Sequence, residues 1–342
     1  MRAVIIDTPG NLRVGTVPDP VPGPDELLVR VGACGICGTD LHILAGDSPV
    51  ARYPIVPGHE LAGDVVALGE NVAARKGFEG LRITVGSRVA IEPNLACGHC
   101  EMCRTGHENL CLYYRAVGVT TNGAMAEYVT VPVGKAYLLP DTLSLREAAL
   151  IEPVSCAVRG MHCLSPRSGD TFLIAGAGTM GLLLLQLALR GGASRVAVVD
   201  VNTQRLARAE DLGATRTYTT VREALADEPG GFHCVIDATG VAQVIEQAFS
   251  AVKRGGKLLI FGVAADEARI SLSPFRIYNE EITIVGSMAV LSSFQPALDL
   301  ICGGIIQTQA MLTAALPLED IAQAFELVRR GEGVKTQVVP NA

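Results

Sequence analysis

The chain has 342 residues, 49% of them hydrophobic, and a formal net charge of −7. That length suggests about two domains of roughly 150 residues each, and the acidic balance argues against a nucleic-acid or membrane-surface partner. The opening MRAVIIDTPG has no signal-like apolar run, and GLLLLQLAL at 181–189 falls far below the roughly 20 apolar residues of a membrane span, so the ten cysteines read as thiols and metal ligands of a cytoplasmic protein.

Residues 1–153 are broken by Gly and Pro every few positions. The short apolar runs ELLVRVGACGI, AGDVVALG, GSRVAI and MAEYVTVP read as strands of an irregular, mostly β domain. Ser144 and Glu147 have the spacing of a capping box for a short helix. Pro153 is expected to drive Glu152 out of helical conformation. Residues 154–288 have a different texture, in which strands and helices alternate. TFLIAGAG is a strand, TMGLLLLQLALRGG a helix closed by glycine, RVAVVDVN a strand, TQRLARAEDLGA an amphipathic helix and CVIDATG a strand. VIEQAFSAVKRGG is then a helix, and KLLIFGVA and EITIVGSM are strands. This alternation predicts an α/β parallel sheet with right-handed crossovers. The tail, 289–342, holds the helices FQPALDLICGG and LEDIAQAFELVRRG and is expected to return to the first domain.

Gly176, Gly178 and Gly181 form G-x-G-x-x-G directly between a strand and a helix. The first permits a tight turn, the second lets a pyrophosphate approach the helix N-terminus, and the third lets helix and strand pack closely. Asp200 ends the next strand, about 20 residues on, where a carboxylate grips ribose hydroxyls. A carboxylate there repels a 2′-phosphate and favours NAD. Arg205 is the residue able to accept that phosphate, or else a solvated helix position.

Cys97, Cys100, Cys103 and Cys111 are spaced C-x2-C-x2-C-x7-C. Four thiolates in one loop satisfy a tetrahedral zinc with no position left open, which makes a structural site. The spacing alone also suits an iron–sulfur cluster, and a nucleic-acid-binding zinc ribbon is disfavoured by the acidic chain. Two earlier stretches, CGICGTDLH at 34–42 and PGHELAG at 57–63, bring Cys37, His59 and Glu60 as a mixed set of metal-ligand types. A catalytic zinc needs few protein ligands and one open position.

Taken in order, CGICGTDLH, PGHELAG, the four-cysteine loop, GAGTMG and the GSM after EITIV resemble the zinc-dependent medium-chain alcohol dehydrogenases over essentially the whole chain. The resemblance implies a GroES-like catalytic domain, interrupted by a Rossmann domain and completed by the tail. It implies two zinc ions per chain, the four-cysteine one structural and the other catalytic. Cys37 and His59 would be ligands of the catalytic zinc, with Glu60 a ligand or close neighbour. Thr39 would hydrogen-bond the substrate alcohol, and His42 would end the proton relay. Contacts to NAD would come from Gly176, Gly178, Thr179, Met180, Gly181, Asp200 and Arg205, and from Thr239, Gly262, Val263, Ser287 and Met288.

Where simple alcohol dehydrogenases place a second zinc cysteine, this chain has Glu152-Pro153, similar to the sorbitol, xylitol and arabitol dehydrogenases. Glu152 is therefore expected in the catalytic zinc site, the alternative being a helix cap. Sorbitol dehydrogenases commonly carry a Phe-Arg pair where this chain has Met288-Ala289, and a tyrosine where it has Ile43. A shorter or differently oriented polyol, or a vicinal diol, then fits better than D-sorbitol. The expected reaction is oxidation of a polyol's secondary alcohol to the ketone, with the proton leaving through Thr39, the cofactor ribose and His42. The alternatives are a threonine- or butanediol-type dehydrogenase and a non-catalytic protein that binds zinc and dinucleotide. The relatives' habit implies a homodimer or homotetramer, with EITIVGSM as the edge strand that pairs between subunits.

Overall fold

The computed structural model describes residues 1–74 and 83–341. The chain divides into two units, Met1–Pro153 with Thr308–Ala342, and Val154–Gln307.

The second unit is built on a parallel sheet of six strands. From one edge to the other these are Arg216–Tyr218, Arg195–Val199, Thr171–Ala175, Phe232–Asp237, Val252–Ile260 and Thr283–Gly286. The first strand in sequence thus lies at the centre, and the chain winds outward first to one side and then to the other. Such an order leaves a crevice beyond the carboxyl ends of the two central strands, where dinucleotides bind in this architecture. Central strands covered on both faces must be apolar throughout, and Phe172, Leu173, Ile174 and Ala175 are all buried. The helix Thr179–Arg190 is apolar almost all round, and Leu182, Leu183, Leu184 and Leu185 are each fully buried. Each such leucine stabilises the fold by roughly 1.5–3 kcal/mol.

Three expectations need correction. The helix expected over 244–256 stops at Ser250, and Val252–Ile260 is strand. Val252 is buried and pairs with Phe232, so tertiary pairing overrides the helical pattern. The return to the first unit begins at Thr308, not at 289. The helix Phe294–Cys302 buries Phe294, Ala297, Leu298 and Ile301, and the Gln307 backbone N–H donates to Gln186 Oε1 at 2.7 Å, which ties this segment to the second unit. Finally, Glu152 and Pro153 are helical, in the first turn of Ile151–Leu164. Proline is tolerated there because first-turn N–H groups have no intrahelical acceptor.

The first unit holds a seven-stranded sheet. Glu26–Gly35 pairs antiparallel with Glu60–Leu68, with Tyr128–Pro132 and with Lys335–Val338. The tail strand Lys335–Val338 therefore lies beside a strand some three hundred positions earlier in the chain. Its four residues, Lys-Thr-Gln-Val, are all buried despite their polarity. A short pair, Asn94–Leu95 with Arg115–Ala116, closes the base of the four-cysteine loop.

Candidate metal centres and active site

The four-cysteine loop is shaped by its own backbone. Cys100 Sγ lies 3.5 Å from Cys103 Sγ and 3.9 Å from Cys111 Sγ, and Cys97 Sγ is 3.9 Å from Cys103 Sγ. A tetrahedron with zinc–sulfur bonds of about 2.3 Å has edges of about 3.8 Å, so the sulfurs stand at zinc spacing. Backbone N–H groups donate to these sulfurs at 3.3 Å, from Cys100 to Cys97 and from Cys97 and Tyr113 to Cys111. Such donors stabilise thiolate. The N–H groups of Cys103 and Leu112 hold the Cys100 thiol down at about 6. Burial, with Cys100 beside it, pushes Cys103 up to about 12. Neighbouring sulfurs cannot all ionise without a cation between them, and the residues fit a structural zinc.

The second cluster is assembled from distant segments. Cys37, His59 and Glu60 each offer a ligand atom, and these atoms lie within 4.8 Å of one another. Cys37 caps the helix Gly38–Ala45. Its Sγ accepts from Thr39 N at 3.5 Å, and its own N–H donates to Asp40 Oδ2 at 2.9 Å. His59 precedes the strand Glu60–Leu68, and register places Glu60 opposite Gly35. Gly35 leaves room for the Glu60 carboxylate, because a Cβ there would sit 1.9 Å from Glu60 Oε2 and the carboxylate would have to move.

Charged groups converge on this cluster. Asp40 is fully buried, and its Oδ1 lies 3.7 Å from His59 Nδ1; neither atom has a hydrogen-bond partner among the described residues. Burial raises the Asp40 carboxyl, partly offset by His59 and by the Cys37 N–H. Burial would lower the His59 ring, but Asp40, the Cys37 sulfur and Glu152 outweigh it and hold it well above the ordinary imidazole value. A pocket that stabilises a charged imidazolium so strongly also stabilises a divalent cation in its place, with the carboxylate turned to the imidazole as in metal sites. The residues fit a zinc ion. Glu152, buried in its helix's first turn, lies outside the convergent set of three, although its charge acts on both His59 and Lys335. Thr39 and His42 are three apart on one helix and share a face. Cys37 Sγ is 3.6 Å from Thr39 Oγ1, and His42 is half-exposed, with Nδ1 3.9 Å from Asp47 Oδ2.

In the second unit the remaining expected residues follow the carboxyl ends of parallel strands: Gly176, Asp200, Thr239, Gly262 and Ser287. Parallel strands bring those ends to one edge of the sheet. Gly176 has φ +106°, and a Cβ on Gly181 would lie 1.8 Å from Gly176 O, so turn and packing both require glycine. Gly178 caps the helix Thr179–Arg190, with Met180 in its first turn and open space where its Cβ would be, the cradle a pyrophosphate needs. Asp200 Oδ2 accepts from Ala177 N at 2.7 Å and Oδ1 from Asn202 N at 2.8 Å. Arg205 Nη1 stands 3.9 Å from Asp200 Oδ2. Val263 and Met288 are exposed.

Two family models match the chain, the alcohol dehydrogenase GroES-like domain over residues 23–141 and the zinc-binding dehydrogenase over 179–302. D-arabinitol dehydrogenase 1 of Uromyces fabae is 33% identical over 350 residues, covering 100% of this chain and 97% of its own. The chain belongs to the zinc-dependent alcohol dehydrogenase family. D-altritol 5-dehydrogenase of Agrobacterium fabrum is 36% identical over 329 residues, 95% of this chain and 92% of its own. Among solved structures, a zinc-binding dehydrogenase from Sinorhizobium meliloti 1021 bound to NADP matches with a TM-score of 0.91 at 35% identity, over 99% of each chain.

For this dehydrogenase, reading the sequence missed three buried residues at or beside the sites. Asp40 follows Thr39 and looks like a helix-turn acid; its capping-box spacing to Cys37 was the available signal. Asp237 is fully buried, and its two oxygens accept from the N–H groups of Thr239 and Gly240 at 3.0 and 3.1 Å, which shapes the turn after its strand. Lys335 had no signal, since a lysine in VKTQVV reads as a solvated strand position.

Proposed function

We propose that this chain oxidises a secondary hydroxyl of a polyol to the ketone and passes the hydride to NAD, with a catalytic and a structural zinc in each chain. The observation that carries this reading is the convergence of Cys37, His59 and Glu60 within 4.8 Å, with the buried carboxylates of Asp40 and Glu152 acting on His59. The relatives named for arabinitol and altritol support the substrate class.

When bound, the zinc makes a hydroxyl acidic at neutral pH and the nicotinamide accepts the hydride. The chain's own residues do the rest. Cys37 and His59 would hold the metal, with Glu60 able to join them as a further ligand, and Asp40 would orient the His59 ring. Thr39 Oγ1 accepts the substrate's hydroxyl proton as it gives up its own, which is relayed to His42, half-exposed on the same helix face, and released to solvent. Glu152 serves the same metal site directly or through water, exchanging with Glu60. Asp200 selects two free ribose hydroxyls. Gly178, Thr179 and Met180, with Thr239, Gly262, Val263, Ser287 and Met288, line the dinucleotide site. The chain assembles as a homodimer or homotetramer through the sheet-edge strand Thr283–Gly286, and its ten cysteines suit the reducing cytoplasm.

The test is a panel of polyols offered with NAD or NADP to the purified zinc-loaded protein, read by absorbance of the reduced cofactor. Pentitols and hexitols other than D-sorbitol should support the highest kcat/KM, with NAD preferred. Turnover of threonine or butanediol alone would move the substrate class. No turnover with any alcohol would leave a non-catalytic binder. A preference for NADP would mean that Arg205 takes a 2′-phosphate.

A further inference from the structure

Among the described residues, Lys335 is the one lysine or arginine buried within the charged cluster of the second metal centre. An ammonium has three N–H donors. Here each has an acceptor: Glu60 Oε1 and Oε2, both at 2.7 Å, and the Ile36 carbonyl at 3.2 Å. The two acceptors belong to the segments that carry the ligands, since Ile36 precedes Cys37 and Glu60 follows His59. Lys335 itself arrives on the tail strand, whose neighbour Thr336 accepts from the Ile36 N–H at 3.0 Å. The Gly35 position is open so that the Glu60 carboxylate can lie across it. Both Glu60 oxygens are therefore committed to Lys335, although one of them is within 4.8 Å of the Cys37 and His59 ligand atoms.

We propose that Lys335 is a positioning residue that holds Glu60 off the catalytic metal, and so decides whether this carboxylate or an incoming hydroxyl occupies the metal's open position. The inference rests on reading Cys37, His59 and Glu60 as a metal site. A carboxylate stripped of a buried partner is strongly driven to another cation, and the nearest cation would be the metal. The pair thus acts as a latch. Closed on Lys335 it leaves the metal open; released, it fills the metal's coordination.

The test is Lys335→Met compared with the parent, Glu60→Gln and the double variant. Two readouts are independent of turnover: the visible spectrum of protein with cobalt in the catalytic site, and the rate at which a chelator strips that site. The four-cysteine zinc is the internal control. Lys335→Met should gain Glu60 as a permanent ligand, so that stripping slows roughly tenfold or more, in line with the 10–100-fold weight of groups supporting a metal's ligands, and the cobalt bands shift. Lys335→Met/Glu60→Gln should match Glu60→Gln in both readouts, because Lys335 acts only through Glu60. Unchanged stripping and spectrum in Lys335→Met would overturn the inference. If Lys335→Met fails to fold, the double variant leaves neither charge of the pair buried and decides alone: agreement with Glu60→Gln upholds the inference, and a difference overturns it. A parent protein that takes up no second metal would instead overturn the metal reading on which this rests.

Discussion

The two cysteine-bearing centres of the first unit solve the same problem in opposite ways. The four-cysteine loop draws every ligand from fifteen consecutive residues, 97–111, and neutralises its sulfurs with backbone N–H groups of the same loop. The other centre draws Cys37 from a helix cap and His59 and Glu60 from the start of a strand, and balances them with Asp40, Glu152 and Lys335. The first centre holds four sulfurs of one kind and is complete. The second is mixed, deeply buried and electrostatically unequal. On the proposed reading, what separates a rivet from a reaction centre is the ring of charges outside the ligands, more than the ligands themselves. A closed thiolate set needs nothing beyond its own loop, whereas an open site must keep its vacant position from being filled by its own side chains.

The largest effect should come from breaking the open centre. Cys37→Ser should lower turnover about a thousandfold, equivalent to the several kcal/mol a metal supplies as a Lewis acid. Metal analysis should fall from two zinc ions per chain to one, with the four-cysteine metal retained. Loss of both metals would show that the two centres are not independent.

Breaking the closed centre should reverse the pattern. Cys103→Ser should remove the structural zinc and lower the thermal midpoint by about 10 °C, because binding energy at such a site is folding energy. Turnover per correctly assembled molecule should stay near the parent value. A stable, assembled variant with little activity would assign the loop a part in the chemistry.

Glu152→Gln probes the ring of charges rather than the ligands. It keeps the size of the side chain and removes the charge, so turnover should drop roughly tenfold or more while the thermal midpoint and the four-cysteine metal stay constant. Near-normal turnover would reduce Glu152 to an acid placed favourably in a helix's first turn.

The smallest effect is a change of slope. In the metal-stripped loop Cys100 titrates at about 6 and Cys103 at about 12. Metal uptake displaces every proton still on a ligand. Above about pH 6 Cys100 is already thiolate and contributes no proton. Below it, Cys100 must also be deprotonated by the metal. Zinc affinity of the loop should therefore fall with decreasing pH throughout, and fall more steeply below about pH 6. Competition against a coloured chelator, in a variant whose other centre is disabled by Cys37→Ser, measures this. A single slope across pH 5 to 8 would mean that the four thiols share their protons more evenly than their hydrogen bonds suggest.

Much of this was legible from residues alone because much of it is local. A glycine that must turn, a glycine that must let a helix approach and four cysteines around one ion are constraints set within about fifteen residues, and each leaves a pattern at fixed spacing. The alternation of strands and helices over residues 171–286 likewise follows from which faces must be apolar. Tertiary pairing decided the rest. Val252 joined a strand because Phe232 was there to pair with it, against the helical run that precedes it. Glu152 stayed helical because its proline fell in a first turn, where an absent N–H costs nothing. Lys335 became buried because a strand at the end of the chain lies beside one near the beginning, which places its ammonium between Ile36 and Glu60. Composition and spacing determine what a segment can bind, but the charge that balances a buried ligand can arrive from any distance along the chain, and only the folded sheet brings it there.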